Sequence, residues 1–472
     1  MYNSKSPNAE EFISDQEVLE SLDYGVKNKD NREEIEKILA QAASMKGLNH
    51  RQVALLLKCD DPKVIERLYT IAEEIKLHIY GRRIVLFAPL YLSNYCVNGC
   101  RYCAYHNANC EMQRKQLSQE EIEKEVIALQ DMGHKRLALE TGEDPVNCPI
   151  EYVLESIKTI YGIKHKNGAI RRVNVNIAAT TVENYRKLKE AGIGTYILFQ
   201  ETYHKPTYEY MHPKGPKHNY AYHTEAMDRA MEGGIDDVGI GALLGLYDHH
   251  YDIVAMMLHI KHLEDVHGVG PHTISVPRIR PAEGVDEVYP HAVSDEDFKK
   301  AVAILRCAVP YTGIIISTRE SPELRAQVIR LGVSQVSGGS STGIGGYADG
   351  SGEQREDTAQ FEVNDHRTLD QVIGWLCESG YVPSFCTACY REGRTGDRFM
   401  SLAKAGQICN VCQPNALMTL KEYQEDYASA QTAKYIDQVI EEEVKHITNE
   451  KVKTITLQNL DKIAAGERDF RF

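Results

Sequence analysis

The sequence predicts an α/β protein built on a (βα)8 barrel of the TIM type, with an N-terminal helical extension and a mostly helical C-terminal part. Three observations predict it. Short apolar, β-branched runs alternate with longer helical stretches through the middle of the 472-residue chain, the pattern of a parallel sheet with helical crossovers. Eight such units fall within roughly 260 residues, the size of a closed barrel. The competing open doubly wound sheet usually announces itself by a GxGxxG turn after its first strand, and no such turn is present there.

The elements follow in order. Residues 14–80 read as helices without an intervening strand. The segment DNREEIEKILAQAASM, from Asp30, begins with a polar cap and continues with good helix formers. The segment DDPKVIERLYTIAEEIKLHIYG, from Asp60, does the same and stops at Gly81. The eight strand candidates are IVLFAPL from Ile84, RLALET from Arg136, VNVNIA from Val173, TYILFQ from Thr195, DVGIGALLG from Asp237, HTISVP from His272, TGIIIST from Thr312 and SQVSGG from Ser334. The alternation ends near Gly343. One more helix precedes a cysteine-bearing segment at 381–413, and a charge-rich helical tail follows from Leu420. The expected domains are a helical extension over 1–81, a barrel over 82–342 and a C-terminal domain over 343–472.

Composition narrows the function. The net charge is −14 and no basic stripe stands out, so nothing would drive counterion release from nucleic acid. No nucleic-acid partner is expected. The N-terminus has no signal-peptide pattern, and no apolar run approaches the ~18 residues needed to span a bilayer. The expectation is a soluble cytoplasmic protein without a membrane partner. Twelve cysteines in that reducing compartment more often bind metal or do chemistry than form disulfides.

SNYCVNGCRYC places Cys96, Cys100 and Cys103 in Cys-x3-Cys-x2-Cys spacing just after the first predicted strand. Three thiolates can hold three irons of a [4Fe–4S] cube that normally takes four protein ligands. The fourth iron is then open to a small molecule. The loop after a barrel strand lies at the catalytic face, so position and chemistry agree. A zinc site completed by Cys110 or His106 is the alternative. A second group, Cys386, Cys389, Cys409 and Cys412, forms two Cys-x2-Cys pairs nineteen residues apart, which on spacing alone reads as a zinc ribbon.

The first cluster, with the aromatic Tyr102 before its last cysteine, resembles the defining motif of the radical SAM superfamily. A second matching element is Thr141-Gly142-Glu143 at the end of the second strand, where that superfamily binds the amino group of S-adenosylmethionine (SAM). The usual first glycine is Thr141 here, so the likeness rests on Gly142 and Glu143. The resemblance implies a [4Fe–4S] cluster on Cys96, Cys100 and Cys103 that reduces bound SAM and yields a 5′-deoxyadenosyl radical. Glu201, ending the fourth strand, is a candidate for the SAM ribose hydroxyls.

The whole chain is similar to the tyrosine lyases that mature [FeFe]-hydrogenase. The carriers are QETYHKPTYEYMHPKGPK from Gln200, VGIGALLGL from Val238, SVPRIRPA from Ser275 and STRESPELR from Ser317. These stretches also resemble the 2-iminoacetate synthases of thiamine synthesis. The C-terminal Cys-x2-Cys-x22-Cys, fitted by Cys386, Cys389 and Cys412, separates the two groups. The resemblance implies a C-terminal auxiliary-cluster domain behind a radical SAM barrel, and makes those cysteines ligands of an auxiliary iron–sulfur cluster with Cys409 outside the motif. It also implies an extra iron held by a histidine. Among His259, His262, His267 and His272 we favour His272, which opens the sixth strand, with His262 second. The implied substrate is L-tyrosine, cleaved between Cα and Cβ to p-cresol and dehydroglycine, the latter then broken down to carbon monoxide and cyanide. A free amino acid needs a cation for its carboxylate. Ser317, Thr318 and Arg319, ending the seventh strand, are the candidates, with Arg278 and then Arg280 as alternatives. Expected partners are a reducing electron donor such as flavodoxin or ferredoxin and other hydrogenase maturation proteins. A 2-iminoacetate synthase with a structural zinc ribbon and an iron–sulfur carrier without a SAM pocket are the competing functions.

Overall fold

Eight strands form the barrel in sequence order: β1 (Arg83–Ser93), β2 (Arg136–Thr141), β3 (Arg172–Asn176), β4 (Tyr196–Phe199), β5 (Val238–Gly241), β6 (Thr273–Ser275), β7 (Gly313–Ile316) and β8 (Gln335–Ser337). Each is parallel to the next. The last returns to the first, with Leu86 opposite Val336, so the barrel is closed. The eight runs picked out by their apolar, β-branched character are these eight strands. The structure, a computed structural model, describes residues 2–285, 289–349, 358–404 and 408–472; of Met400, Ala403, Lys404, Ile408 and Cys409 it describes the backbone alone.

Strands enclosed on both faces read as continuous apolar runs, and Val173, Val175, Ile314 and Val336 are fully buried. The crossover helices start where side chains cap them. Ser118 and Glu121 form a capping box for Gln119–Asp131, and Thr368 and Gln371 form another for Leu369–Glu378. Ser321 caps Pro322–Leu331, whose first position is proline. The helix Leu369–Glu378 follows β8 as the other crossovers follow their strands.

The N-terminal extension is helical, as its periodicity indicates. Helices Asp15–Asn28, Arg32–Ala43, His50–Lys58 and Pro62–Tyr80 lie over the outer faces of the barrel helices. The helix His249–His267 is buried around nearly its whole circumference because it lies between the barrel and the first and third of these helices. Among the described residues, no helix is long and apolar enough to cross a membrane.

Two elements were not visible in the sequence. A hairpin pairs Lys164–His165 with Gly168–Ala169. A ninth strand, β9 (Val382–Ser384), runs parallel to the lower end of β1, with Arg83 opposite Val382 and Val85 opposite Ser384. It is three residues long and contains Pro383, which cannot donate to the ladder and is tolerated only at an edge. Its role is positional: it brings Cys386 beneath the barrel. Helix Ile408–Asp426 packs on β9 and on Glu450–Ala464. It is tied to the barrel through Glu422, which pairs with buried Lys135 and with Arg171 at 3.1 Å.

Candidate active site

The upper end of the barrel holds a cavity of about 220 Å³. The loop after β1 supplies Cys96, Cys100, Tyr102 and Cys103 to its wall. Backbone bonds stitch this loop to the end of β2. Val97 N–H donates to the Glu143 carbonyl at 2.8 Å, and Gly142 N–H donates to the Ser93 carbonyl at 2.8 Å. A side chain at Gly142 would place Cβ 2.2 Å from the Tyr95 carbonyl oxygen and 3.2 Å from Cys96 Cβ. Glycine is therefore what lets the two loops meet.

The three thiols share this wall. Burial pushes Cys103 up to about 11, with the neighbouring Cys96 adding to it, and burial raises Cys100 as well. Two buried thiols that resist becoming thiolates, beside a third in the same wall, suit a positively charged metal centre, which removes that cost. Asn98 Nδ2 lies 3.7 Å from Cys96 Sγ, and Gln360 Nε2 lies 3.7 Å from Cys103 Sγ, two weak donors to sulfur. Among the described residues no three His, Cys, Asp or Glu side chains close on a point as a single-ion cage would. The thiols face open volume, which fits a polyatomic cluster. His106 is bonded to the Gly284 carbonyl at 3.1 Å and Cys110 is exposed, and neither lines the cavity.

The other predicted residues are placed as follows. Glu143 accepts from Asn98 Nδ2 at 2.6 Å, and burial raises its carboxyl. Glu201 has a left-handed backbone with φ 67, a strained conformation for a residue other than glycine. Its carboxylate accepts from Lys217 Nζ at 2.7 Å. Burial alone would lower Lys217, but Glu201 and Cys100 outweigh it and keep the ammonium charged. Tyr102 O–H donates to His212 Nε2 at 2.9 Å. Burial keeps His212 neutral, and its Nδ1–H donates to the Tyr208 carbonyl. Ser317, Thr318 and Arg319 all line the cavity. The Arg319 guanidinium lies 3.3 Å from the centroid of the Phe361 ring and forms no ion pair among the described residues. Arg278 does not line the cavity. It turns to the Val293 carbonyl at 2.9 Å, Asp295 at 2.8 Å and Glu320 at 3.2 Å. Arg280 is the arginine from that segment that reaches the cavity.

A second cavity of about 90 Å³ lies at the opposite end of the barrel. Cys386, Cys389, Cys412 and His272 line it together, with Arg83, Arg136, Tyr390 and Arg394. The Cys389 thiol donates to Cys412, and that bond with nearby Arg83 holds the Cys412 thiol below its ordinary range against the pull of burial. His272 is bonded to Tyr390 O–H at 2.9 Å, and burial keeps its imidazole neutral, the form in which it ligates metals. Cationic surroundings and one ready thiolate suit a thiolate-bound metal group. His259, His262 and His267 lie elsewhere. His259 is bonded to Tyr203, and His262 and His267 both hold Asp228 at 2.9 Å. The side chain of Cys409 lies outside the described residues. Strands β1, β2, β7 and β8 line both cavities; on β8, Ser337 faces the upper and Gln335 the lower.

Sequence reasoning missed Asn98, Glu140, Lys217 and Gln360 on the upper wall and the arginines of the lower one. Lys217 ends the PKGPK turn, but only its fold-dependent pairing with Glu201 marks it.

Residues 90–260 match the Radical SAM superfamily, and residues 275–382 match the Biotin and Thiamin Synthesis associated domain. The chain is 32% identical over 321 residues to a 2-iminoacetate synthase of Salmonella typhimurium, covering 68% of this chain and 82% of that protein. It is similar to a crystal structure of HydG, a maturase of the [FeFe]-hydrogenase, at 55% identity and a TM-score of 0.93, covering 98% of this chain and 100% of that one. The HydG structure from Carboxydothermus hydrogenoformans aligns at 39% identity and a TM-score of 0.83, covering 96% and 99%.

Proposed function

The chain belongs to the HydG family of radical SAM enzymes, and from that premise we propose that it cleaves free L-tyrosine between Cα and Cβ. The products are p-cresol and dehydroglycine, and dehydroglycine goes on to carbon monoxide and cyanide for the precursor of the [FeFe]-hydrogenase active site. The observation that carries this reading is the pair of cysteine-lined cavities at opposite ends of one barrel. A lyase that stopped at dehydroglycine needs no second reactive centre, and its lower cysteines would serve only a structural metal.

Cys96, Cys100 and Cys103 would hold the SAM-binding [4Fe–4S] cluster. When bound and reduced, it supplies the electron that splits SAM and starts hydrogen abstraction from the substrate's amino nitrogen. Gly142 leaves room for the SAM amino group and Glu143 offers it a carboxylate. Glu201, held by Lys217, presents its carboxylate to the ribose. Tyr102 fixes the cluster loop through His212. Arg319 takes the tyrosine carboxylate, with Ser317 and Thr318 beside it. At the lower end Cys386, Cys389, Cys412 and His272 would hold an auxiliary iron–sulfur cluster and its extra iron. The barrel walls exclude water from the reacting atoms. A flavodoxin or ferredoxin supplies electrons, and other hydrogenase maturation proteins receive the product.

The test is anaerobic turnover of iron-reconstituted protein with SAM, a reductant and tyrosine. p-Cresol should form, and SAM cleavage should accelerate more with tyrosine than with phenylalanine or tryptophan. Equal acceleration by all three, or no p-cresol, overturns the reading.

A further inference from the structure

Among the described residues three carboxylates line the upper cavity, and two are already engaged. Glu201 is locked to Lys217, and Glu143 accepts from Asn98. The third is Glu140. It is paired in register with Tyr91 of β1 and Asn176 of β3, so the three side chains share one inward layer of the barrel. Its carboxyl is bonded to the neutral amide of Asn176. The titratable or charged groups facing it are Tyr91 from β1, Tyr105 from the loop after β1, and Arg319 from the end of β7. Glu140 sits inside the barrel yet keeps accessible surface, and that surface faces the cavity.

Resting on tyrosine as substrate, we infer that Glu140 is the base that takes a proton from the substrate's α-ammonium group before hydrogen is abstracted from its nitrogen. One proton moves from R–NH3⁺ to the Glu140 carboxylate, leaving R–NH2 and a carboxylic acid. No electron moves in this step, and only an N–H bond breaks.

Three facts support the assignment. First, Arg319 already places a cation in this cavity. A second cation on the substrate nitrogen is costly in a site shielded from water. Second, burial raises Glu140 to about 8, with only partial relief from Arg319 and Asn176. An α-amino group titrates near about 8 as well, so the transfer costs little, which is the match a general base requires. Third, Tyr91 and Tyr105 cannot serve, because burial raises both phenols far above the range in which they ionise.

The test is Glu140→Gln, which keeps the shape and removes the base. At pH 7 its kcat for p-cresol should fall by about tenfold, because only about a tenth of an amine titrating near 8 is neutral there without a base. Its KM for tyrosine should stay within about threefold of wild type. Raising the pH from 7 to about 9 should restore the variant, most of the roughly tenfold gain coming by pH 8, as the substrate amine loses its proton unaided, while wild type changes less because the bound substrate ammonium lowers Glu140 from its value in the empty site. A variant with wild-type kcat at pH 7, or a loss that no pH restores, overturns the inference. Should the variant not take up iron, Glu140→Asp decides. A shorter base predicts a lower kcat and a displaced pH profile, and an unchanged profile overturns the inference. Wild type that makes no p-cresol defeats the substrate reading. Wild type that makes it while Glu140→Gln matches it defeats the inference alone.

Discussion

Arg319 offers a quantitative probe of the substrate site. Its guanidinium is enclosed, lies 3.3 Å from the Phe361 ring centroid, and has no ion pair among the described residues. Burial lowers its pKa, with Tyr91 and Glu201 supporting the charge. A buried cation packed on an aromatic face, with no ion pair among the described residues, has donors to spare for a carboxylate. A hydrogen bond between charged groups contributes about 1.5–3 kcal/mol. At 1.4 kcal/mol per factor of ten, Arg319→Ala should raise the tyrosine KM by roughly ten- to a hundredfold. Arg319→Lys should fall between, since it keeps the charge and loses the planar fork. The assay is p-cresol formation against tyrosine concentration, run beside tyramine, which lacks the carboxylate. Tyramine should show no added defect in Arg319→Ala. An unchanged tyrosine KM refutes the clamp and moves it to Arg280, which lines the same cavity and has a buried Nε without a partner. An equal defect with tyramine shows that Arg319 holds the cavity wall.

Gly142→Ala should be severe, because Cβ meets the Tyr95 carbonyl at 2.2 Å. SAM affinity, measured by equilibrium binding to iron-loaded protein, should drop far more than global stability does. Lys135→Met should destabilise the fold by roughly 3–5 kcal/mol, at the lower end because Arg171 still holds Glu422. Burial opposes the charge on Glu422, but Lys135 and Arg171 outweigh it and hold its carboxyl below the ordinary range. A lowered carboxyl contributes its stability above about pH 4.3 and loses it as pH falls through the folded value. The stability gap between wild type and Lys135→Met should therefore shrink as the pH drops below about 4. A gap that stays constant into acid contradicts the pairing.

The barrel was legible because its strands are enclosed on both sides and leave unbroken apolar runs such as IVLFAPL and TGIIIST. Cys96, Cys100 and Cys103 were legible because their spacing lies within one loop. Meeting across the fold is harder to read. Asn98 reaches Glu143, forty-five residues away, and Glu140 is one more acidic residue until its register with Tyr91 and Asn176 turns it inward. The choice between Arg278 and Arg280 failed for a specific reason. The chain leaves strand geometry after Ser275, so alternation no longer says which side chain faces in. Arg278 turns away to Asp295 and Glu320. The lower cavity depends on β9, whose three residues carry no periodic signal. Without it, Cys386 and His272 are 114 positions apart in the chain with nothing to join them.

The central claim is that one barrel serves two metal groups with separate tasks. The most direct measurement is carbon monoxide and p-cresol from the double variant Cys386→Ser, Cys389→Ser, with iron and zinc determined in the same samples. If those cysteines hold an auxiliary cluster, iron falls, deoxyadenosine and p-cresol continue from the upper cavity, and carbon monoxide drops far more than p-cresol. A structural zinc ribbon predicts the opposite, because its metal contributes folding free energy directly. In that case wild type carries stoichiometric zinc, the variant loses zinc and no iron, and both products fall together, which would contradict the account.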